Sequence, residues 1–218
     1  MKTKILLIAL GTCLLAACAS SPGTQIHEDM VANTDPYKIG VTGLSISDFL
    51  GIGMNLKSAD MIFAPRTNTV VMEFKVQGNT TRLHFSRSDR DLLLAAITSY
   101  LESFEERTLI EDGKQDRVYG TFKSLMEWGL LTVNAKATAK VHVGYEFKKD
   151  SPYFILTVPE VDNDRYNKGS VVKRSGYFQL FFTRSQLAEF GEMLIQEYLE
   201  STLEEQNISR ASSDPDTY

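Results

Sequence analysis

The sequence predicts an α+β domain built from a duplicated unit, several antiparallel strands followed by one long helix, set in a pseudo-two-fold arrangement. A single curved sheet with packed helices is the alternative. Three observations lead there: a weak internal repeat, apolar residues alternating ahead of each matched segment, and apolar stripes at helical spacing behind it. Leu83-His84-Phe85-Ser86-Arg87-Ser88-Asp89 matches Leu180-Phe181-Phe182-Thr183-Arg184-Ser185-Gln186 at an offset of 97 residues. Tyr100-Leu101-Glu102-Ser103 recurs as Tyr198-Leu199-Glu200-Ser201 at an offset of 98, which puts one extra residue in the second helix.

In the first copy, Ala59, Met61 and Phe63 give a weak strand signal, and Val70, Met72, Phe74 and Val76 a clear one. A Gly78-Asn79 turn then leads to Thr81, Leu83 and Phe85, forming a hairpin. Ser86 or Ser88 can cap a helix whose first turn carries Asp89 and Asp91, and Leu93, Ala96, Ile97, Tyr100, Leu101 and Phe104 form its apolar stripe. In the second copy, the alternation of Ala137, Ala139, Val141, Val143, Tyr145 and Phe147 predicts a long half-buried strand. Phe154, Leu156 and Val158 prepare the next strand, and Phe178, Leu180 and Phe182 form its partner. Thr183 and Gln186 fit a capping box, ahead of Leu187, Phe190, Met193, Leu194 and Tyr198 on the buried side of a helix. Ser47 to Leu50 and Tyr119 to Trp128 read as short helical or loop-helical segments.

The ends of the chain read differently. Lys2 and Lys4 precede an apolar run from Ile5 to Leu15 that is too short to span a bilayer, the pattern of a signal peptide over residues 1–17. Leu15-Ala16-Ala17-Cys18 resembles the lipobox of bacterial lipoproteins. The resemblance implies cleavage before Cys18, diacylglycerol and an N-acyl chain on that cysteine, and a membrane anchor made of lipid alone. Ala19 resembles the outer-membrane sorting pattern, which implies a periplasmic domain in a Gram-negative cell. Residues 18–36 form the lipidated N-terminus and tether, 37–110 and 111–204 the two units, and 205–218 a flexible tail.

Composition narrows the chemistry. The formal net charge of -5 becomes -7 once Lys2 and Lys4 leave with the signal, which argues against nucleic acid as a partner. Two cysteines are present, Cys13 and Cys18, so the mature body has no internal disulfide and no thiolate site. His27, His84 and His142 lack metal-ligand spacing. There is no Gly-x-Ser-x-Gly elbow, and neither Gly51-Ile52-Gly53 nor the Gly40-to-Gly43 stretch is followed by a phosphate-loop Lys-Ser/Thr. No catalytic residue, metal or cofactor is predicted. The strand-rich unit ending in a helix, used twice over residues 37 to 204, also resembles the PUR and whirly arrangements in topology. Those families bind single-stranded nucleic acid, a function that export and negative charge argue against here.

The candidate partner surface is the long insertion from Asp162 to Arg174, where Arg165, Tyr166, Lys168, Lys173 and Arg174 place positive charge and an aromatic ring on an acidic molecule. A solvated hairpin extension is its plain alternative. Phe181, where the first copy has His84, faces away from Leu180 and Phe182 and suggests packing between the units or in a homodimer. Trp128, with Leu130 and Leu131, could join that region or an ordinary core. The functional expectation is a noncatalytic, lipid-anchored envelope protein that binds or scaffolds another envelope protein or peptidoglycan. A small-ligand carrier whose curved sheets enclose the aromatic groups is the alternative, and an enzyme the third class.

Overall fold

The computed structural model describes residues 29–48, 54–111, 114–130 and 132–213. The signal sequence, Cys18, His27 and Leu131 lie outside the described residues. Four strands come first, β1 (Tyr37–Asp48), β2 (Asn55–Ala64), β3 (Thr69–Val76) and β4 (Asn79–Phe85), followed by α1 (Arg87–Glu105). Then come β5 (Lys114–Gly129), β6 (Ala135–Lys148), β7 (Ser151–Val158) and β8 (Phe178–Phe182), and finally α2 (Arg184–Glu192) and α3 (Gln196–Ser213).

All eight strands form one closed antiparallel barrel in sequence order. This overturns the duplicated pseudo-two-fold arrangement and agrees better with the alternative of a single curved sheet. Two pairings decide it. β4 pairs with β5 from Thr80–Gly129 to His84–Leu125, and β1 pairs with β8 from Ser45–Phe181 to Asp48–Phe178. Each four-strand half would expose two unpaired edges by itself, and these two seams remove all of them.

Alternation fills the inside. Leu44 and Ile46, Met61 and Phe63, Met72 and Phe74, Leu83 and Phe85, Leu156 and Val158, and Leu180 and Phe182 share one buried core. Along the β5–β6 seam large residues face small ones: Trp128 opposite Ala135, Met126 opposite Ala137, Phe122 opposite Val141. Here the expected helical or loop-helical segment from Tyr119 to Trp128 is strand instead. Ser124, buried among apolar neighbours, interrupts the alternation in the sequence while keeping it in space, where its hydroxyl donates to the His84 carbonyl at 2.9 Å. Ser47 likewise belongs to β1 rather than to a helix.

Two hairpin turns are two-residue connections with positive φ at both positions, as a type I′ turn requires. Gln77 and Gly78 (φ 52° and 80°) join β3 to β4, and Lys149 and Asp150 (φ 50° and 62°) join β6 to β7. Ser86 and Thr183 cap α1 and α2 in complete capping boxes with Asp89 and Gln186. The second helix is not continuous: α2 stops at Glu192, capped by Met193, and α3 begins at Gln196, close to the residue gained between the two matched segments.

Antiparallel alternation gives the barrel two distinct ends. The helices cover one, together with the β2–β3 turn. Arg90, 1 % exposed, ties that end together: its guanidinium donates to the Leu194 carbonyl (2.8 Å), Asn68 Oδ1 (2.8 Å) and Gln196 Oε1 (2.9 Å). Residues 159–177 cover the other end, beside the β3–β4 and β5–β6 turns.

Candidate functional site

β8 is five residues long and buried on both faces. Phe178, Leu180 and Phe182 point into the barrel core, and Gln179 and Phe181 point outward. Register places Ser45, Phe181, Ile155 and Gly144 in one outer row and Ser47, Gln179, Thr157 and His142 in the next. Phe181 is covered within the protomer, with Tyr153 edge-on at 6.1 Å and the Lys148 ammonium 5.5 Å from its ring centroid. It therefore supplies no argument for a second copy, and Trp128 likewise belongs to the ordinary core.

The second row is a buried polar strip. Gln179 Nε2 donates to Thr157 Oγ1 (3.1 Å) and reaches Glu146, whose carboxylate also takes the Lys148 ammonium. Arg117 Nε donates to His142 Nδ1 at 2.9 Å. Burial, and then the Arg117 charge, hold His142 below the usual imidazole value, so this ring is an acceptor at neutral pH. Gly144 admits the strip's neighbour: a Cβ there would overlap the Gln115 carbonyl, where three extra residues of β5 bulge over β6.

Above Phe181, between the β6–β7 hairpin tip and β1, lies an open cleft of about 600 Å³ lined by Ser45, Ser47, Met54, Lys148, Lys149, Ser151 and Tyr153. Lys148 is occupied by Glu146. The hydroxyls of Ser45, Ser47, Ser151 and Tyr153 and the Lys149 ammonium have no hydrogen-bond or ion-pair partner among the described residues. None of these serines hydrogen-bonds a described histidine or carboxylate, and what the cleft presents is a set of hydroxyls beside the Lys149 ammonium.

A second cleft of about 420 Å³ lies at the C-terminal end of α1, lined by Ser103, Phe104, Arg107, Leu109, Glu111, Phe147 and Pro152. Behind it Tyr100, Tyr119, Tyr145 and Phe154 pack ring against ring. Burial, and then the neighbouring phenols, push Tyr100 up and Tyr119 up to about 12, so neither serves as a base at neutral pH. On the far side of the barrel His84 Nε2 meets Glu127 Oε2 at 3.1 Å, and burial outweighs that carboxylate to lower the imidazole pKa. No three His, Cys, Asp or Glu side chains gather as a metal site among the described residues.

The 162–174 segment does not join either cleft. It is also not a freely solvated hairpin, because its backbone is fixed to the barrel. Asn163, buried, accepts from the amides of Lys136 (3.1 Å) and Arg165 (2.9 Å) and donates to the Val172 carbonyl (2.6 Å). Ser175 and Val161 exchange two more bonds. Arg165, Tyr166, Lys168 and Lys173 stand exposed, as does Val171 at 91 %. Arg174 is exposed too but engaged, 2.8 Å from Asp162 and 3.3 Å from Glu160, contacts that raise its pKa. The sequence reading missed the cleft over β8. Its serines lie on the polar faces of strands, where hydroxyls are ordinary, and only the register brings them beside Lys149 and Tyr153.

A family model described as an uncharacterised Treponema protein matches residues 36–201. The chain belongs to this family. A relative in Treponema pallidum (strain Nichols), described as an uncharacterized protein, is 31 % identical over 201 residues, which is 90 % of this chain and 69 % of the relative. No solved structure matches. The match to the Treponema family takes in all eight strands, both clefts and the 162–174 segment.

Proposed function

We propose that this member of the Treponema family is a noncatalytic, lipid-anchored envelope protein whose barrel binds a small polar ligand in the cleft over β8. The observation that carries the reading is the convergence of four hydroxyls and the Lys149 ammonium, unpartnered among the described residues, on one cleft of ligand-pocket size. Groups carried on strands of a closed barrel are held in fixed relative positions, which suits binding without reorganisation. The lipid part of the reading rests on Leu15-Ala16-Ala17-Cys18 and the basic, apolar leader before it.

Two measurements test it. Thermal shift of the mature chain against soluble sugars, sugar acids, amino acids and nucleotides should give a raised Tm with at least one class, abolished in Ser151→Ala/Tyr153→Ala. A flat response to every class sinks the binding reading. In fractionated cells the wild type should follow the membranes and Cys18→Ser should be released; retention of the variant removes the lipid anchor.

A second reading adds a partner surface. Arg165, Lys168 and Lys173 are exposed on a rigid backbone and form no ion pair with a described residue, whereas Arg174 is neutralised. The residues leading into the body attach at the opposite, helical end, where the Val31 amide donates to the Pro65 carbonyl at 2.9 Å. The basic tip is thus about one strand length, roughly 25 Å, from the tether's point of attachment. That geometry suits contact with an envelope protein or peptidoglycan on the side away from the anchor. Replacing Arg165, Lys168 and Lys173 with Gln should reduce crosslinked partner in intact cells, and unchanged capture by the folded variant ends this reading.

A further inference from the structure

Resting on the small-ligand reading of the cleft over β8, we infer that its ligand is a hydroxylated sugar ring bearing one acidic group. The residues argue the two halves separately. Ser45, Ser47, Ser151 and Tyr153 line the cleft with hydroxyls, which both donate and accept, matching the double role of sugar hydroxyls. An apolar ligand would leave all four desolvated without partners, which disfavours it.

The charge comes from the β6–β7 turn. Of the two lysines in the cleft, Lys148 is already paired with Glu146, so among the described residues Lys149 is the lysine left to meet an incoming ligand. The left-handed conformation of Lys149 (φ 50°) and Asp150 (φ 62°) holds that turn, and Asp150 is not part of the lining. One free ammonium selects one acidic group. The Tyr153 ring, itself fixed edge-on against buried Phe181, and Met54 give the C–H face of a pyranose an apolar surface beside the hydroxyls.

The test uses glucuronate, glucose and inorganic phosphate with the full mature chain in isothermal titration. Glucuronate should bind at least about tenfold more tightly than glucose, the factor that 1.4 kcal/mol of a charge-assisted hydrogen bond supplies. Phosphate, which has charge without the ring, should bind more weakly than glucuronate. Lys149→Gln should erase the advantage of glucuronate over glucose, and Lys168→Gln, at the capped end, should leave that advantage intact. Equal binding of glucose and glucuronate, or an inert Lys149→Gln, overturns the acidic half; phosphate as the tightest ligand overturns the sugar half. Failure of all three probes overturns the ligand class, while a different compound class that raises the Tm through Ser151 and Tyr153 would leave the small-ligand reading standing.

Discussion

At the helical end of the barrel, α1 and α2 insert Leu93, Ile97, Leu187 and Phe190 into the core, with Phe190 stacked on Phe182 at 5.0 Å and edge-on to Phe85 at 6.0 Å. At the capped end, residues 159–177 close the barrel mainly with polar groups: Asn163, Ser170 and Ser175 are all nearly buried and all hydrogen-bonded. The first closure gains free energy in proportion to apolar area removed from water. The second gains little area, and its specificity lies in bonds that are costly to leave unmade. The two ends should therefore fail differently.

The largest effect is expected at the helical end, from the buried charge of Arg90. Arg90→Met removes the donor that joins α1, the β2–β3 turn and the α2–α3 junction, and leaves the Leu194 carbonyl, Asn68 Oδ1 and Gln196 Oε1 without it. Orphaned buried acceptors cost about 1–3 kcal/mol each, so a loss of about 3 kcal/mol is expected in urea unfolding, with the slope of the transition unchanged. A shift under about 1 kcal/mol would mean that apolar insertion alone holds this end.

The same contrast explains what could be read in the sequence. The Thr183–Gln186 capping box, a cap at Ser86 or Ser88 and the alternation in β3, β4, β6, β7 and β8 were legible because period and cap chemistry are local. The barrel was not, because the β1–β8 and β4–β5 seams depend on register between residues far apart, such as Ser45 with Phe181. Arg90 was hidden as one more charge in a helix, since nothing local shows that Asn68 and Leu194 surround it. The cap was hidden because Asn163, Ser170 and Ser175 look like turn residues, and only the structure shows them turned inward. The cleft over β8 was hidden for the reason that obscured the barrel: its walls come from β1 and the β6–β7 hairpin, which only the seam brings together.

A smaller, local effect is expected at the capped end. Asn163→Ala removes one donor and one shared acceptor, at a cost of about 2 kcal/mol confined to the cap. In hydrogen exchange the amides of Lys136 and Arg165 should lose protection while those of α1 keep theirs. Asn163→Asp keeps the acceptor and should retain that protection, while its second oxygen, set against the Val172 carbonyl, lowers stability. Loss of protection in α1 on either substitution would show that the two ends unfold as one unit and that the contrast between them is only chemical.

The smallest effect belongs to neither end but to the barrel wall between them. His84 and His142 both have lowered pKa values, each chiefly through burial, with Glu127 opposing the shift at His84 and Arg117 reinforcing it at His142. The unfolded chain thus binds protons more readily than the folded one around these rings. Their contribution to stability is complete above the ordinary imidazole value and is lost as pH falls from about 6.5 toward the lowered folded values. The urea midpoint should decline between about pH 7.5 and 5.5, and the double substitution His84→Gln/His142→Gln should flatten that decline. Because Arg90 and the 159–177 cap take no part in this titration, Arg90→Met and Asn163→Ala should shift the whole profile downward without changing its slope. A changed slope in either variant would couple the wall to that end and show that the end does more than close the barrel.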